Sequence, residues 1–378
     1  MEIYLDNSAT TKVCKSSAQK ALQLMTTAYG NPSSLHSMGF DAQQEMSLAR
    51  IAIAKKLGVT EREIIFTSGG TEANNLAIFG AVQAQKRFGN QIVTTAIEHP
   101  SVLGCMAELE KQGFEIVYLK PDAHGMISPE QIQRAVTEKT ILVSIMLVNN
   151  EVGSILPVEA AANVIRRKNV PALLHVDAVQ AFGKQDIKPK KSGIDLLTVS
   201  GHKIHAPKGV GALYCAKGVR ISPCFFGGGQ ENGLRPGTEA LSLIGAFGEA
   251  VRQLPEIPQA MKHIQRLYDC CRTQLAKLPG ISLHSPERGL PYILHFSTGS
   301  VRSETMIHFL AAKHIFVSGG SACAKGKQSH VLTAMGLSRA EIKTAIRVSF
   351  CYENTVEQIT AFVQAVEEGL STLATGAL

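Results

Sequence analysis

Between about residue 40 and residue 217, apolar positions switch repeatedly between a helical and a strand-like period. In "FDAQQEMSLARIAIAKKLG" (40–58), Met46, Ala49, Ile53 and Leu57 fall on one helical face, and Gly58 supplies a stop. "EIIFT" then predicts a strand, "TEANNLAIFGAVQAQKRFG" a helix and "QIVTTAI" a strand. "SVLGCMAELEKQG" predicts a helix and "FEIVYLK" a strand. "SPEQIQRAVTEK" opens a further helix, with Ser128 as N-cap, Pro129 in the first helical position and Gln131 completing a capping box. "TILVSIMLV", "ALLHVDAV" and "IDLLTVS" are unbroken apolar runs of the kind covered on both faces. This alternation predicts an α/β fold whose mostly parallel, doubly wound sheet carries helices on both sides.

The pattern changes near "LPEIPQ" (254–259). A long helical stretch, "QAMKHIQRLYDCCRTQLAKLPG", leads into "ISLHS", "YILHFST", the helix "SETMIHFLAAKHI", "IFVSGGSAC", "IRVSF" and a final helix. We expect a large domain over 13–257 and a smaller α+β domain built from 1–12 and 258–378.

Composition narrows the class. With 378 residues, 45% of them hydrophobic and 18% charged, the chain reads as an ordinary globular enzyme rather than a disordered segment. Its net charge is +7, yet "KPKK" (188–191) is the densest basic cluster, too small an electrostatic footprint for direct nucleic-acid binding. An N-terminal signal peptide and a membrane span are not expected. The 8 cysteines are scattered and form no CxxC pair, which points to a reduced, cytoplasmic setting. No spacing suggests a metal site.

Candidate chemistry collects where ligands bind in open α/β sheets, beyond the carboxyl ends of the strands. Those ends read "TSGGTEANN" (67–75), "IEHPS" (97–101), "VNNEVG" (148–153), "VDAVQ" (176–180) and "SGHKIH" (200–205). The glycines and Thr71 in the first, Gly70 among them, suit one phosphate at a helix N-terminus, while neither the dinucleotide nor the P-loop pattern is present. Asp177 ends an apolar strand and needs a partner, for which a protonated ring nitrogen would serve. His99 could stack on a ring or shuttle a proton. Lys203 sits at the end of another apolar strand, an unusual place for a strongly hydrated ammonium. A strand-end lysine, an aspartate one strand away, a histidine and a phosphate cradle together describe a pyridoxal 5'-phosphate site, with Lys203 as its Schiff-base residue.

Two further residues stand apart. Cys323 in "SGGSACAKGK" (318–327) lies among small residues with lysines downstream, where a thiolate is favoured. Arg347 interrupts the apolar "IRVSF" (346–350) and wants a carboxylate, which an amino-acid substrate carries.

In order along the chain, "YLDNSATT", "NPSSLH", "FTSGGTEANNLA", "EHPSV", "VNNEVG", "HVDAVQ", "SGHKIHAPKGVGALY", "GGGQENGLRPGTEA" and "SGGSAC" resemble the cysteine desulfurases, fold-type I pyridoxal-phosphate enzymes of the class V aminotransferase group. The likeness covers nearly the whole chain. It implies a homodimer that converts L-cysteine to L-alanine and passes the sulfur, through a Cys323 persulfide, to an acceptor protein for iron–sulfur cluster assembly or for tRNA or cofactor thiolation. It further implies Lys203 as the covalent cofactor anchor, Asp177 on the pyridine nitrogen, Gln180 on the phenolic oxygen and His99 as the stacked acid/base. Thr71, Ser200 and His202 resemble the phosphate ligands, and Thr238 a residue reaching the neighbouring subunit's phosphate. Asn149 resembles a ligand of cofactor or substrate, and Asn31 and Arg347 ligands of the substrate carboxylate. The chain departs from the pattern at Asn7, Ser8 and Leu147, and only residues 324–328 separate Cys323 from "SHVL". Alternative readings are a lyase for selenocysteine, a desulfinase for cysteine sulfinate, and a non-catalytic sulfur-relay scaffold.

Overall fold

The computed structural model describes residues 2–319 and 328–373. The strands, in chain order, are β1 (Ile3–Tyr4), β2 (Ile64–Thr67), β3 (Gln91–Thr95), β4 (Glu115–Leu119), β5 (Thr140–Met146) and β6 (Leu173–Asp177). They continue with β7 (Leu196–Ser200), β8 (Gly211–Cys215), β9 (Ser282–Leu283), β10 (Ile293–Ser297), β11 (Ile315–Phe316) and β12 (Ala345–Ser349). Seven of these form the central sheet in the order β2-β8-β7-β6-β5-β3-β4. The protein thus has the expected mixed α/β architecture around a mostly parallel sheet.

Every residue of β5 and β7 is buried, as unbroken apolar runs require. One face of the sheet is covered by the helices Gly70–Gln85 and Pro100–Lys111, whose Leu76, Ile78, Val102 and Met106 pack on Ile92 and Leu142. The opposite face joins a larger core that runs on into the C-terminal layer. The helix Ser37–Leu57 ends at Gly58, which takes a left-handed conformation (φ 69°), and Ser128 and Gln131 form the expected reciprocal cap.

The sheet departs from uniform parallelism at β8, which pairs antiparallel with both β7 and β2. The reason is length. Only residues 201–210 separate β7 from β8, too few for a covered crossover, so the chain turns back, with Gly209 at φ 87°. Gly211 is then pressed against the turn before the helix Gly70–Gln85; a Cβ there would lie 2.8 Å from the Gly69 backbone.

The C-terminal layer is an antiparallel sheet of β12, β10 and β9, in which His295 lies opposite Arg347. The chain start is woven into it. β1 runs parallel to β11, and Asp6 bridges to Ser349. Among the described residues, no helix is long and apolar enough to cross a membrane.

A buried ion pair fastens the segment that carries Thr238. Glu231 (φ 47°) and Asn232 (φ 58°) are both left-handed, a conformation that asparagine tolerates and glutamate adopts at a cost. The Glu231 carboxylate is held by Arg50 at 2.6 Å and by the Phe66 N–H at 2.9 Å. The Arg50 guanidinium also lies 4.6 Å from the centre of the Phe66 ring. Because Glu231 is buried, removing its partner strands a charge. Arg50→Ala should therefore lower the unfolding free energy by about 3 kcal/mol, read as a shift in the urea midpoint, while Glu231→Gln should cost less. Equal midpoints for wild type and Arg50→Ala would show that solvent already screens the pair.

Candidate active site

Along the sheet, the strand order reverses between β3 and β5: β4 lies outside β3, and β5, β6 and β7 follow on its other side. A crevice is expected at that reversal, beyond the carboxyl ends. Glu98 follows β3 and crosses to β5, accepting the Met146 N–H at 2.9 Å and the Thr95 hydroxyl at 2.7 Å. Burial pushes its carboxyl up to about 8, so it stays protonated near neutral pH. Asn149 crosses the same gap. Its Nδ2 donates to Ile97 O at 3.0 Å and its Oδ1 accepts the N–H groups of Glu151 and Val152. The Asn149 amide therefore shapes the 149–153 turn.

His99 caps the helix Pro100–Lys111, and its Nδ1 accepts the Ser101 N–H at 3.1 Å. Burial holds its pKa below the ordinary value, with Lys203 and His330 acting the same way and Asp177 opposing them. Asp177 ends β6; its Oδ1 accepts the Val179 N–H at 2.9 Å and its Oδ2 the Asn74 amide at 2.8 Å. Gly70, at the start of its helix, faces Val179; a Cβ would lie 2.9 Å from that side chain. Thr71 is exposed at the same helix start, and the Ser200 hydroxyl is buried beside it with no hydrogen-bond partner. His202 lies next, its Nδ1 3.3 Å from the Thr10 hydroxyl, and burial followed by the charge of Lys203 lowers its pKa to about 4.

Lys203 points at the N-terminal segment. Its Nζ donates to the carbonyls of Ser8 and Ala9, the latter at 2.8 Å. Burial lowers its pKa to about 7, with Arg347 and Lys184 pushing the same way against Asp6 and Asp177. Gln180 donates to Ser8 O at 2.9 Å and accepts from Lys184 Nζ at 3.3 Å. Lys184 is itself buried and lowered to about 8.

The structure thus brings His99, Asp177, Gln180, Ser200, His202, Lys203 and Gly70 to one end of the sheet. Arg347 is buried at the same end, and its carboxylate partner is internal: Nη2 bonds Asp6 at 2.9 Å, while Nη1 donates to Asn150 O at 2.8 Å. Asn31 lies on an exposed loop, where its Oδ1 accepts the Ser33 N–H. Thr238 is exposed beside Phe225, Phe226 and Arg235. Cys323 lies outside the described residues. The backbones flanking its segment are anchored at the site. Ser318 exchanges two backbone hydrogen bonds with Arg347, the Ser329 hydroxyl donates to Glu151 at 2.6 Å, and His330 Nε2 donates to Glu98 O at 2.9 Å.

Sequence reading missed Asn74, Lys184, Glu98 and Asp6. Asn74 gave a signal: it is a polar residue one turn after Gly70, on a helical face otherwise occupied by Ala77, Ile78 and Ala81. Asp6 gave none, since its contact with Arg347 spans nearly the whole chain.

The donor set fits a phosphorylated pyridinium aldehyde. The free helix start and the unpartnered Ser200 hydroxyl suit a phosphate, Asp177 suits a protonated ring nitrogen, and a readily deprotonated lysine suits a carbonyl. A family model described as aminotransferase class-V matches residues 3–362. A cysteine desulfurase of Nostoc sp. is 41% identical over 371 residues, covering 97% of this chain and 92% of the relative. A solved structure titled NifS-like protein superposes with a TM-score of 0.92 at 39% identity, covering 99% of this chain and all of that one. A second, titled SspA in complex with cysteine, gives 0.83 at 34% identity, covering 94% of this chain and all of that one.

The lowered lysine has a signed consequence. Between pH 7 and 10.5 the unfolded chain holds a proton on Lys203 that the folded chain has released. Stability of the cofactor-free protein should therefore rise with pH across that window. Lys203→Met should be more stable than wild type below pH 7, and the difference should fade as the pH approaches 10.5. The rate at which a small aldehyde modifies Lys203 should rise through an inflection near pH 7; an inflection near 10.5 would refute the shift.

Proposed function

The chain belongs to the aminotransferase class-V family, among the cysteine desulfurases, and on that premise we propose that it takes sulfur from L-cysteine, leaving L-alanine, with Cys323 as the first sulfur acceptor. The observation that carries the reading is the meeting of Lys203, Asp177 and His99 beside a helix start with an unpartnered Ser200 hydroxyl. Pyridoxal 5'-phosphate is the cofactor these groups would hold, and it supplies an electron sink for the substrate carbon.

The chain's own residues do the rest. Gly70, Thr71, Ser200 and His202, with Thr238 of a second copy, would bind the phosphate. Asp177 would keep the ring nitrogen protonated, Gln180 would face the phenolic oxygen, and Asn149 would shape the wall. Lys203, with a pKa of about 7, can both take and return a proton at Nζ near neutral pH. Arg347 and Asn31 would receive the substrate carboxylate, Arg347 sharing its charge with Asp6. The Cys323 thiolate attacks the substrate sulfur. A new S–S bond forms as the C–S bond breaks, the electron pair stays on the alanine carbon, and that carbon takes a proton. The persulfide then passes its outer sulfur to an acceptor protein of iron–sulfur assembly or tRNA thiolation.

An exposed apolar surface supports a homodimer. Leu22, Met25, Tyr29, Phe40, Leu48 and Ile51 leave large apolar side chains exposed on the helices Lys15–Thr26 and Ser37–Leu57 and the loop between them. A second copy is the occupant that would also bring Thr238 to a phosphate. The scattered cysteines of the sequence favour a reduced, cytoplasmic setting.

Lys203→Ala should abolish turnover and the visible absorption of bound cofactor. Cys323→Ser should keep that absorption and still bind cysteine, yet release no sulfide, because a hydroxyl is not ionised near neutral pH. Sulfide at the wild-type rate from Cys323→Ser would overturn the assignment. Relative turnover on cysteine, selenocysteine and cysteine sulfinate separates the desulfurase from the two related lyases. Sedimentation should show a dimer that Phe40→Glu with Leu48→Glu converts to monomer; a wild-type monomer would remove Thr238 from the site.

A further inference from the structure

The Asn74 side chain is 1% exposed and touches two residues of the site at once. Its Nδ2 donates to Asp177 Oδ2 at 2.8 Å and to Ser101 Oγ at 2.9 Å. Ser101 Oγ in turn lies 2.8 Å from His99 Nδ1. The direction of every bond follows. The amide nitrogen carries only donors, and reversing the amide would set its oxygen against the Asp177 carboxylate. Ser101 Oγ therefore accepts from Asn74 and has one hydrogen left to give. His99 Nδ1 already accepts the Ser101 backbone N–H at 3.1 Å, so it holds a lone pair and receives the Ser101 hydroxyl hydrogen as well. The neutral imidazole then carries its proton on Nε2. Asn74 Oδ1 is left buried without a partner. Both hydrogen bonds of its Nδ2 thus go to side chains of other elements and none to the local backbone.

We infer that Asn74 is a positioning residue: through Ser101 it ties the Asp177 carboxylate and the His99 imidazole into one hydrogen-bonded chain and directs the Nε2–H of His99 away from that chain. Asn74 sits one turn from Gly70 on the helix whose start would take the phosphate. One rigid element thus sets the carboxylate and the phosphate cradle directly, and the imidazole by way of Ser101. The inference deepens the desulfurase reading and rests on it, because only there do Asp177 and His99 serve the same bound group.

The test uses the full-length protein with and without pyridoxal 5'-phosphate, labelled with 15N-histidine, the His99 signals being assigned by comparison with His99→Gln. In wild type, His99 should show an unprotonated Nδ1 and a protonated Nε2. Asn74→Ala and Ser101→Ala should each shift the Nδ1 resonance, and the double variant should shift it no further than the larger single change. With cofactor bound, Asn74→Ala should lower kcat for cysteine about tenfold, with KM changed by less than about twofold, and Ser101→Ala should lower kcat less because Asp177 keeps its amide partner. Ser101→Ala removes one hydroxyl and tests the chain even where Asn74→Ala does not fold. A His99 spectrum unchanged in Ser101→Ala, or losses that simply add in the double variant, would overturn the inference. A wild-type protein that shows the resonance pattern but no turnover of cysteine would instead fault the desulfurase reading and leave the linkage standing.

Discussion

The contact on which this architecture turns is that of the Lys203 ammonium with the carbonyls of Ser8 and Ala9. Lys203, Lys184 and Arg347 are three cations within mutual electrostatic reach at one end of the sheet. Such a group is tolerable only if each charge meets compensating oxygens or gives up its proton. The N-terminal segment supplies those oxygens: Asp6 for Arg347, the carbonyls of residues 8 and 9 for Lys203, and Ser8 again for Gln180. Where compensation falls short, burial lowers the lysines toward neutrality. The same shortfall leaves a free amine available near neutral pH.

That segment can act as a counter-layer only because it is itself held. β1 pairs with β11, Asn7 donates to Ser349 O at 2.9 Å, and the Thr11 hydroxyl donates to His202 O at 3.0 Å. The chain start therefore stitches the C-terminal layer to the loop after β7. Across the site, Glu98 binds β3 to β5 at the point where the strand order reverses. Its burial as a neutral acid avoids adding a second carboxylate beside Asp177, while its backbone carbonyl receives His330.

Much of this was legible in the sequence because it is local. Apolar runs, Gly58, the Ser128–Gln131 cap and the polar strand ends all depend on near neighbours in the chain. The illegible part depends on distant partners. Arg347 announced its need for a carboxylate, but nothing local could say that Asp6 answers it. Asn74 stood out as a polar residue on an apolar helical face, but its partners appear only once β6 and the helix after β3 are packed around it. The reversal at β8 follows from a connection length that was visible, but it required knowing that "GALYC" is a strand. The expectation for Cys323 rested on its setting alone, and that residue lies outside the described residues.

The anchors on either side of that cysteine bear on how sulfur transfer could be coupled to substrate. The outgoing backbone pairs with Arg347, and the returning one is fixed by Glu151 and His330. Arg347 and Glu151 are within electrostatic reach of each other, and Arg347 also contacts Asp6 and the carbonyl of Asn150. In the proposed reaction an incoming carboxylate would share the Arg347 guanidinium with Asp6. Any adjustment of that side chain would act on β12, whose backbone at the same residue carries the bonds to Ser318. Under that proposal the substrate ligand and the residue that anchors the outgoing backbone would be one, its side chain serving the first and its backbone the second. Separate residues could drift apart without either function registering it. A shared residue would hold the described end of that backbone, Ser318, in fixed register with the guanidinium proposed to receive the substrate.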